Sequence, residues 1–166
     1  MQFLPERDSG TDLWRQGAVQ AAIQGNAGAL SKLLDEGAPV DACDENGNTL
    51  LMLASYHGRS KVTAVLLERG ADPNRANHRG HTPLCGAALR GDVGSTRLLL
   101  RQGAWVNQPG DDGRTPLMLA VMFDHVEVVG LLLGAGADPT LKDRAGRCLR
   151  ELALTMGSWR AQLHVG

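Results

Sequence analysis

The sequence predicts an all-α solenoid, a stack of helix-turn-helix units joined by β-turn fingers. Three columns of residues predict it. Thr49, Thr82, Thr115 and Cys148 fall 33 residues apart each time. Gly47, Gly80, Gly113 and Gly146 keep the same stride, as do Gly37, Gly70, Gly103 and Gly136, each of the latter followed by alanine. A fixed period of this length marks an array in which one supersecondary unit recurs and buries its apolar face against the next copy.

The elements follow in chain order. Residues 1–11 read as an N-terminal extension. One stride back from Thr49 lies Gln16, after which Gly25, Leu33-Leu34 and Gly37-Ala38 keep the pattern without a Thr-Pro-Leu start, so 12–48 is a worn N-terminal capping repeat. Repeats 49–81, 82–114 and 115–147 open on Thr49-Leu-Leu-Met-Leu-Ala, Thr82-Pro-Leu-Cys-Gly-Ala and Thr115-Pro-Leu-Met-Leu-Ala. Threonine can cap a helix, and Pro83 and Pro116 sit where a helix has no use for an N–H. Leu51 with Ala54, then Val62, Val65 and Leu66, recur at helical spacing and give each helix one buried face.

Gly58 and Gly91 stand between the two helices of their repeats, where reversal of direction favours positive φ, and Asp124 takes that place in the next repeat. The Asn46-Gly47 and Asp112-Gly113 pairs predict tight hairpin turns at the finger tips. After Cys148 the helical signal runs through Leu149, Leu152 and Ala153, with Gly157 in the turn column, so 148–166 is a truncated C-terminal cap. Residues 12–166 thus read as one domain.

The repeating text resembles the ankyrin family, whose repeat reads Gly-x-Thr-Pro-Leu-His-x-Ala, then a glycine turn, Val-x-x-Leu-Leu and Gly-Ala-Asp-Pro-Asn. Gly70-Ala71-Asp72-Pro73-Asn74 matches that ending outright, and Leu-Leu pairs stand at 66–67, 99–100 and 132–133. Met52, Cys85 and Met118 depart from the family's histidine column, which removes a side chain that commonly bonds between neighbouring loops and implies lower rigidity. Gly86 lies inside a predicted helix at a cost of about 1 kcal/mol relative to alanine. It either admits close helix packing or has no role.

Composition bounds the function. With 43% hydrophobic but only 4% aromatic residues, the core must be built from Leu, Ala and Val. The formal charge of −1 supplies no field for phosphate backbones, so nucleic acid is not the expected partner. No run approaches the ~20 apolar residues of a membrane span, so no membrane association is expected. The start, Met-Gln-Phe-Leu-Pro-Glu-Arg-Asp, lacks the form of a signal peptide, and the cytoplasm is the expected compartment. Fourteen arginines against three lysines fit a GC-rich, bacterial genome. Cys43, Cys85 and Cys148 form no CxxC pair and read as small core side chains.

No residue pattern assigns a catalytic, cofactor or metal role. His57, His78, His81, His125 and His164 fall in no metal-ligand spacing. Asp41, Asp44 and Asn46 before Gly47 fail the calcium-loop register, because Ala42 stands where an acid is needed. Asp111-Asp112 are turn formers, and neither GxSxG nor a phosphate-loop glycine pattern occurs. An enzyme is not expected.

The resemblance implies a partner protein along the concave side, touching fingers and first-helix ends. Carried onto this chain, those ends are Tyr56-His57, Leu89-Arg90 and Met122-Phe123, an expected aromatic and apolar strip with basic edges. His78, Arg79, His81, Asp111, Asp112 and Arg114 are the finger candidates. Finger charge runs from Asp44 and Glu45 to Lys142, Arg144 and Arg147, which predicts a partner of reverse gradient. Trp105 stands in the column of Asp72 and Asp138 and reads as either a binding anchor or local packing. The expected role is an adaptor or inhibitor, monomeric before it binds one protein. The alternatives are an immunity protein that neutralises a toxin, a helper of a neighbouring enzyme such as catalase, or a homodimeric structural protein.

Overall fold

The structure, a computed structural model, describes residues 9–155. Among them the helices are α1 (Ser9–Gln24), α2 (Ala27–Asp35), α3 (Leu50–Tyr56), α4 (Ser60–Glu68), α5 (Pro83–Arg90), α6 (Val93–Arg101), α7 (Pro116–Met122), α8 (Val126–Gly134) and α9 (Leu149–Thr155). Among the described residues there is no strand, only an isolated antiparallel bridge between Cys43 and Thr49. Helices α1, α3, α5, α7 and α9 stack in sequence as one row, with α2, α4, α6 and α8 as a second row behind it. None of these helices is long and apolar enough to cross a membrane.

Helices α3, α5 and α7 begin as the sequence dictates. The Thr49 hydroxyl accepts the Met52 N–H at 3.1 Å, Thr82 accepts that of Cys85 at 3.5 Å and Thr115 that of Met118 at 3.3 Å. Such a cap contributes about 1 kcal/mol. Cys148 has no hydroxyl for the purpose, and the end of α9 is held differently: the Glu151 carboxylate accepts the Cys148 N–H at 2.7 Å. That bond keeps Glu151 below the usual carboxylate range.

Leu50, Leu51, Leu84, Leu117 and Leu149 are fully buried in the first row, and Leu30, Leu66, Leu99 and Leu132 in the second. One polar seam crosses the second row. Asp92 caps α6 and also accepts the hydroxyls of Ser60 at 3.0 Å and Ser95 at 2.6 Å, while Thr63 and Ser95 lie 2.9 Å apart. These buried hydroxyls are thereby satisfied, as the interior requires.

Gly86 is a packing residue. A Cβ there would lie 3.2 Å from the Met52 sulfur and 3.2 Å from the Tyr56 backbone nitrogen, so α5 touches the backbone of α3. The loops that lack the family's histidine are bridged in other ways. The Cys85 thiol reaches the Gln108 carbonyl at 3.8 Å, and the Met118 sulfur accepts the Thr115 N–H at 3.5 Å. Burial raises the Cys85 pKa, so it stays a thiol.

The finger tips are tight hairpin turns, each with three residues in the loop. In the first finger the Asp44 N–H donates to the Asn48 carbonyl at 3.0 Å and the Asp44 carbonyl accepts the Gly47 N–H at 3.1 Å, which leaves three residues in the turn. Gly47 has φ 75°, and Asn46 has no positive φ. A two-residue type I′ turn would need positive φ at both central positions, whereas a three-residue turn needs only the final glycine. The same pairing closes the fingers at Asn77–His81, Gly110–Arg114 and Asp143–Arg147.

Two ladders couple successive repeats. His78 N–H donates to the Asn46 carbonyl at 3.0 Å, Asp111 to Arg79 at 2.9 Å and Arg144 to Asp112 at 2.9 Å. Further back, the side chains of Asp41, Asn74 and Asn107 accept the N–H groups of Asp72, Trp105 and Asp138 at 3.0, 2.7 and 2.8 Å.

Two stability predictions follow from these local geometries. Gly86→Val should destabilise by about 1–3 kcal/mol, because the extra carbons meet backbone that cannot yield; an unchanged urea midpoint would contradict the close approach. Asp124 sits at φ 58° with its Oδ1 buried and unbonded. Asp124→Gly should therefore raise stability by about 1 kcal/mol, read as a higher urea midpoint at constant slope.

Candidate functional site

The first-row helix ends and the second finger enclose a cleft of about 470 Å³. α3 ends at Tyr56 because its first turn is capped by Thr49 and its last meets the reversal at Gly58, and this places Tyr56 and His57 at the mouth. Leu89 enters from α5, and His78, Arg79 and His81 enter from the finger. Six of the thirteen sequence-predicted partner residues thus converge on one hollow.

Their chemistry differs. The Tyr56 ring is 47% exposed and meets His57 edge-on, with centroids 5.2 Å apart. Partial burial, then the charges of Arg59 and Arg90, lower the His57 pKa, so the imidazole is neutral near pH 7. His78 is exposed and lies over Gly47, where no side chain intervenes. Arg79 is exposed. His81 packs on Gly110; its Nε2 is buried without a hydrogen-bond partner, 3.9 Å from Asp112.

The remaining candidates lie elsewhere. Asp111, Asp112 and Arg114 line a shallower neighbouring hollow with Asp143, Arg144 and Arg147, and Arg114 approaches Asp112 at 3.5 Å. Arg90 is exposed beside the cleft but does not line it. Phe123 is 44% exposed and stacks on His125, whose Nε2 lies 3.0 Å from the Leu89 carbonyl. Trp105 is 60% exposed and lines neither hollow, so most of its surface meets solvent rather than core.

Met122 is a correction to the expected strip. It is only 8% exposed and belongs to the core. α7 is covered by α5, α8 and α9, so no face of it is open before the capping residue Phe123. Methionine is unbranched and can turn inward to fill that space, which the rigid ring of Tyr56, two repeat-strides away, cannot do. Leu89 is likewise half-buried and packed against the core. The strip is therefore two exposed aromatic rings at Tyr56 and Phe123 rather than three equivalent steps.

The cleft also contains residues that sequence reasoning assigns to the fold alone. Met52, Leu53, Cys85, Gly86 and Leu119 form its floor, and Asn46, Asn48 and Asn77 part of its wall. Asn48 and Asn77 join across adjacent fingers at 2.7 Å. The 33-residue stride gives no signal for this pair, since Asn48 and Asn77 are 29 residues apart. Among the described residues no cluster of three His, Cys, Asp or Glu side chains could hold a metal ion.

A row of short helices that presents its ends and its fingers, without an enclosed reaction centre among the described residues, defines a repeat array that offers surface. The family model described as ankyrin repeats, in three copies, matches residues 3–77 and 73–143, and the chain belongs to the ankyrin-repeat family. A Pseudomonas aeruginosa protein named for its ankyrin repeats, PA3287, is 43% identical over 56 residues, a stretch that covers 34% of this chain and 33% of that protein. Ankyrin repeats generally mediate protein–protein interaction, and the family is typically a non-enzymatic interaction module.

Asp143 sets a pH dependence at the far end of this face. Burial alone would raise its pKa, but hydrogen bonds from the side chain and backbone of Arg147, the Arg147 charge and the Ala145 N–H outweigh it and hold it below its ordinary 3.8. A depressed carboxyl stabilises above the unfolded pKa and loses that contribution as pH falls through the folded one. Melting temperature should therefore drop as pH is taken below 3.8, and the drop should be shallower in Asp143→Asn. Parallel pH curves for the two proteins would refute the assignment.

Proposed function

We propose that this chain is a non-enzymatic adaptor or inhibitor that holds one partner protein on its concave face, across the cleft and the fingers. The observation that carries the reading is the convergence of Tyr56, His57, Leu89, His78, Arg79 and His81 on one hollow, with Phe123 exposed beyond it. Exposed aromatic rings beside an arginine are the composition of interface anchors. On this reading residues 12–166 act as one domain with repeats at 49–81, 82–114 and 115–147, the partner also touches Arg90, Asp111, Asp112 and Arg114, and Trp105 is an outlying anchor. The likeness to the Pseudomonas aeruginosa protein supports a bacterial setting.

The test is affinity capture from native lysate with the wild type beside a Tyr56→Asp, Phe123→Asp double variant. Both side chains are exposed, so helicity by circular dichroism should be unchanged. The expected outcome is a protein retained by the wild type and lost from the variant, with at least about 2 kcal/mol of binding free energy removed. Equal recovery would discard this face as the binding surface, and a dimer of the isolated chain in light scattering would favour the homodimeric alternative.

A further inference from the structure

We infer that the cleft takes a short acidic peptide segment of the partner with one bulky apolar side chain inserted as an anchor. The inference deepens the protein-binding reading and rests on it. Its basis is a mismatch between the cleft and the chain that carries it: the whole chain has a formal charge of −1, yet no carboxylate lines the cleft. Arg79 and three histidines do, and the guanidinium groups of Arg59 and Arg90 stand close enough to lower the His57 pKa. Arginine pairs with carboxylates in a two-pronged geometry that favours an acidic side chain or chain terminus over other anions of one charge.

Of the nearby acids, Glu45 is exposed beside Asn46 without lining the cleft, and Asp44 and Asp112 are engaged by other groups. Asp44 accepts the N–H groups of Asn46 and Asn48 at 2.9 Å each, within its own finger. Asp112 lies between Arg114, at 3.5 Å, and His81, at 3.9 Å. Asp111, Asp112 and Asp143 line the next hollow against Arg114, Arg144 and Arg147, so acids and bases balance there and the carboxylate-free lining does not continue along the fingers. The acidic stretch that fits is therefore short, which disfavours nucleic acid and favours a peptide.

The floor supplies the second half of the recognition. Met52, Leu53, Leu89 and Leu119 give it an apolar lining. A volume of about 470 Å³ falls in the range of sites that enclose a ligand group rather than graze it. An apolar anchor below and carboxylates at the rim describe one contiguous peptide.

The experiment titrates the full-length chain into fluorescein-labelled decapeptides and reads anisotropy. Each peptide has a central Leu, Phe or Trp flanked by Asp and Glu, by Ser, or by Lys, with a central Ala as the anchorless control. Acidic-flanked peptides should bind at least about tenfold tighter than serine-flanked ones, lysine-flanked ones weakest, and loss of the anchor should cost about tenfold. Arg79→Glu should reverse the order of the flanks. That variant keeps the finger, because only the backbone of Arg79 bonds to Asn77 and Asp111, and circular dichroism verifies it.

Equal binding of acidic and basic peptides, or an order unmoved by Arg79→Glu, would overturn the inference. Absence of binding by every peptide, while the Tyr56→Asp, Phe123→Asp variant still loses its partner from lysate, would overturn it and leave the protein-binding reading intact. If that variant keeps the partner, it is the underlying reading that fails.

Discussion

Everything in this molecule depends on helices that are too short to stand alone. From α2 onward each has seven to nine residues, below the length at which a helix in water is stable by its own bonds. Each must therefore find its apolar partner in the next repeat. Between α3 and α5 the approach is close enough for Gly86 to meet the backbone of α3. Once the first row packs, its sides are closed, and only the helix ends and the finger tips remain for recognition. The location of the cleft is a consequence of stability before it is a consequence of function.

The fingers show how such loops can be placed without a sheet. A β-strand would satisfy its backbone along a continuous edge, whereas here each finger gives one N–H to the finger before it. The rest of the ordering comes from carboxylate and amide side chains that imitate backbone acceptors: Asp44, Asn77 and Asp143 within fingers, Asp41, Asn74 and Asn107 between repeats. The third finger has Gly110 at the first of these columns, and Asp112 accepts the Arg114 N–H instead. Because acceptors of this kind are short and stiff, the turn is fixed by bonds local to each repeat, and the exposed tip residues can vary without loss of the fold.

Legibility in the sequence divides along this line. The stack, the threonine caps and the reversals at Gly58, Gly91 and Asp124 were readable because each needs one residue type at one position, and the stride repeats it. The exposure of Met122 was not, because its burial depends on helices 30 residues away on either side and on the flexibility of methionine, neither of which a column reveals. The convergence of His78, Arg79 and His81 on Tyr56 and Leu89 was only half legible: the strip and the fingers could be named separately, but their meeting in one hollow needed coordinates. The ladder at Asp41, Asn74 and Asn107 was hidden in plain view, since three polar residues one stride apart look like ordinary loop composition until their acceptors are seen to reach the next repeat.

The charge distribution is explained by the same division of labour. Aspartate is the residue that turns and caps require, so many acids are drawn into local bonding: Asp44 and Asp143 close fingers, Asp41 bridges repeats, Asp138 orders the backbone at Thr140, Asp92 joins two helices, and Asp35 pairs with Arg69 at 2.8 Å. Arginine side chains join this local bonding in fewer places, as Arg147 does with Asp143. Arg79 and Arg90 are exposed around the cleft, and Arg59, also exposed, lends only its Nε–H to the Ile23 carbonyl. A nearly neutral chain thus has a cleft lined by Arg79 and by no carboxylate, because its aspartates are placed where the loops need them. The potential at the cleft is set by where the fold places each charge, and net charge read from composition cannot report it.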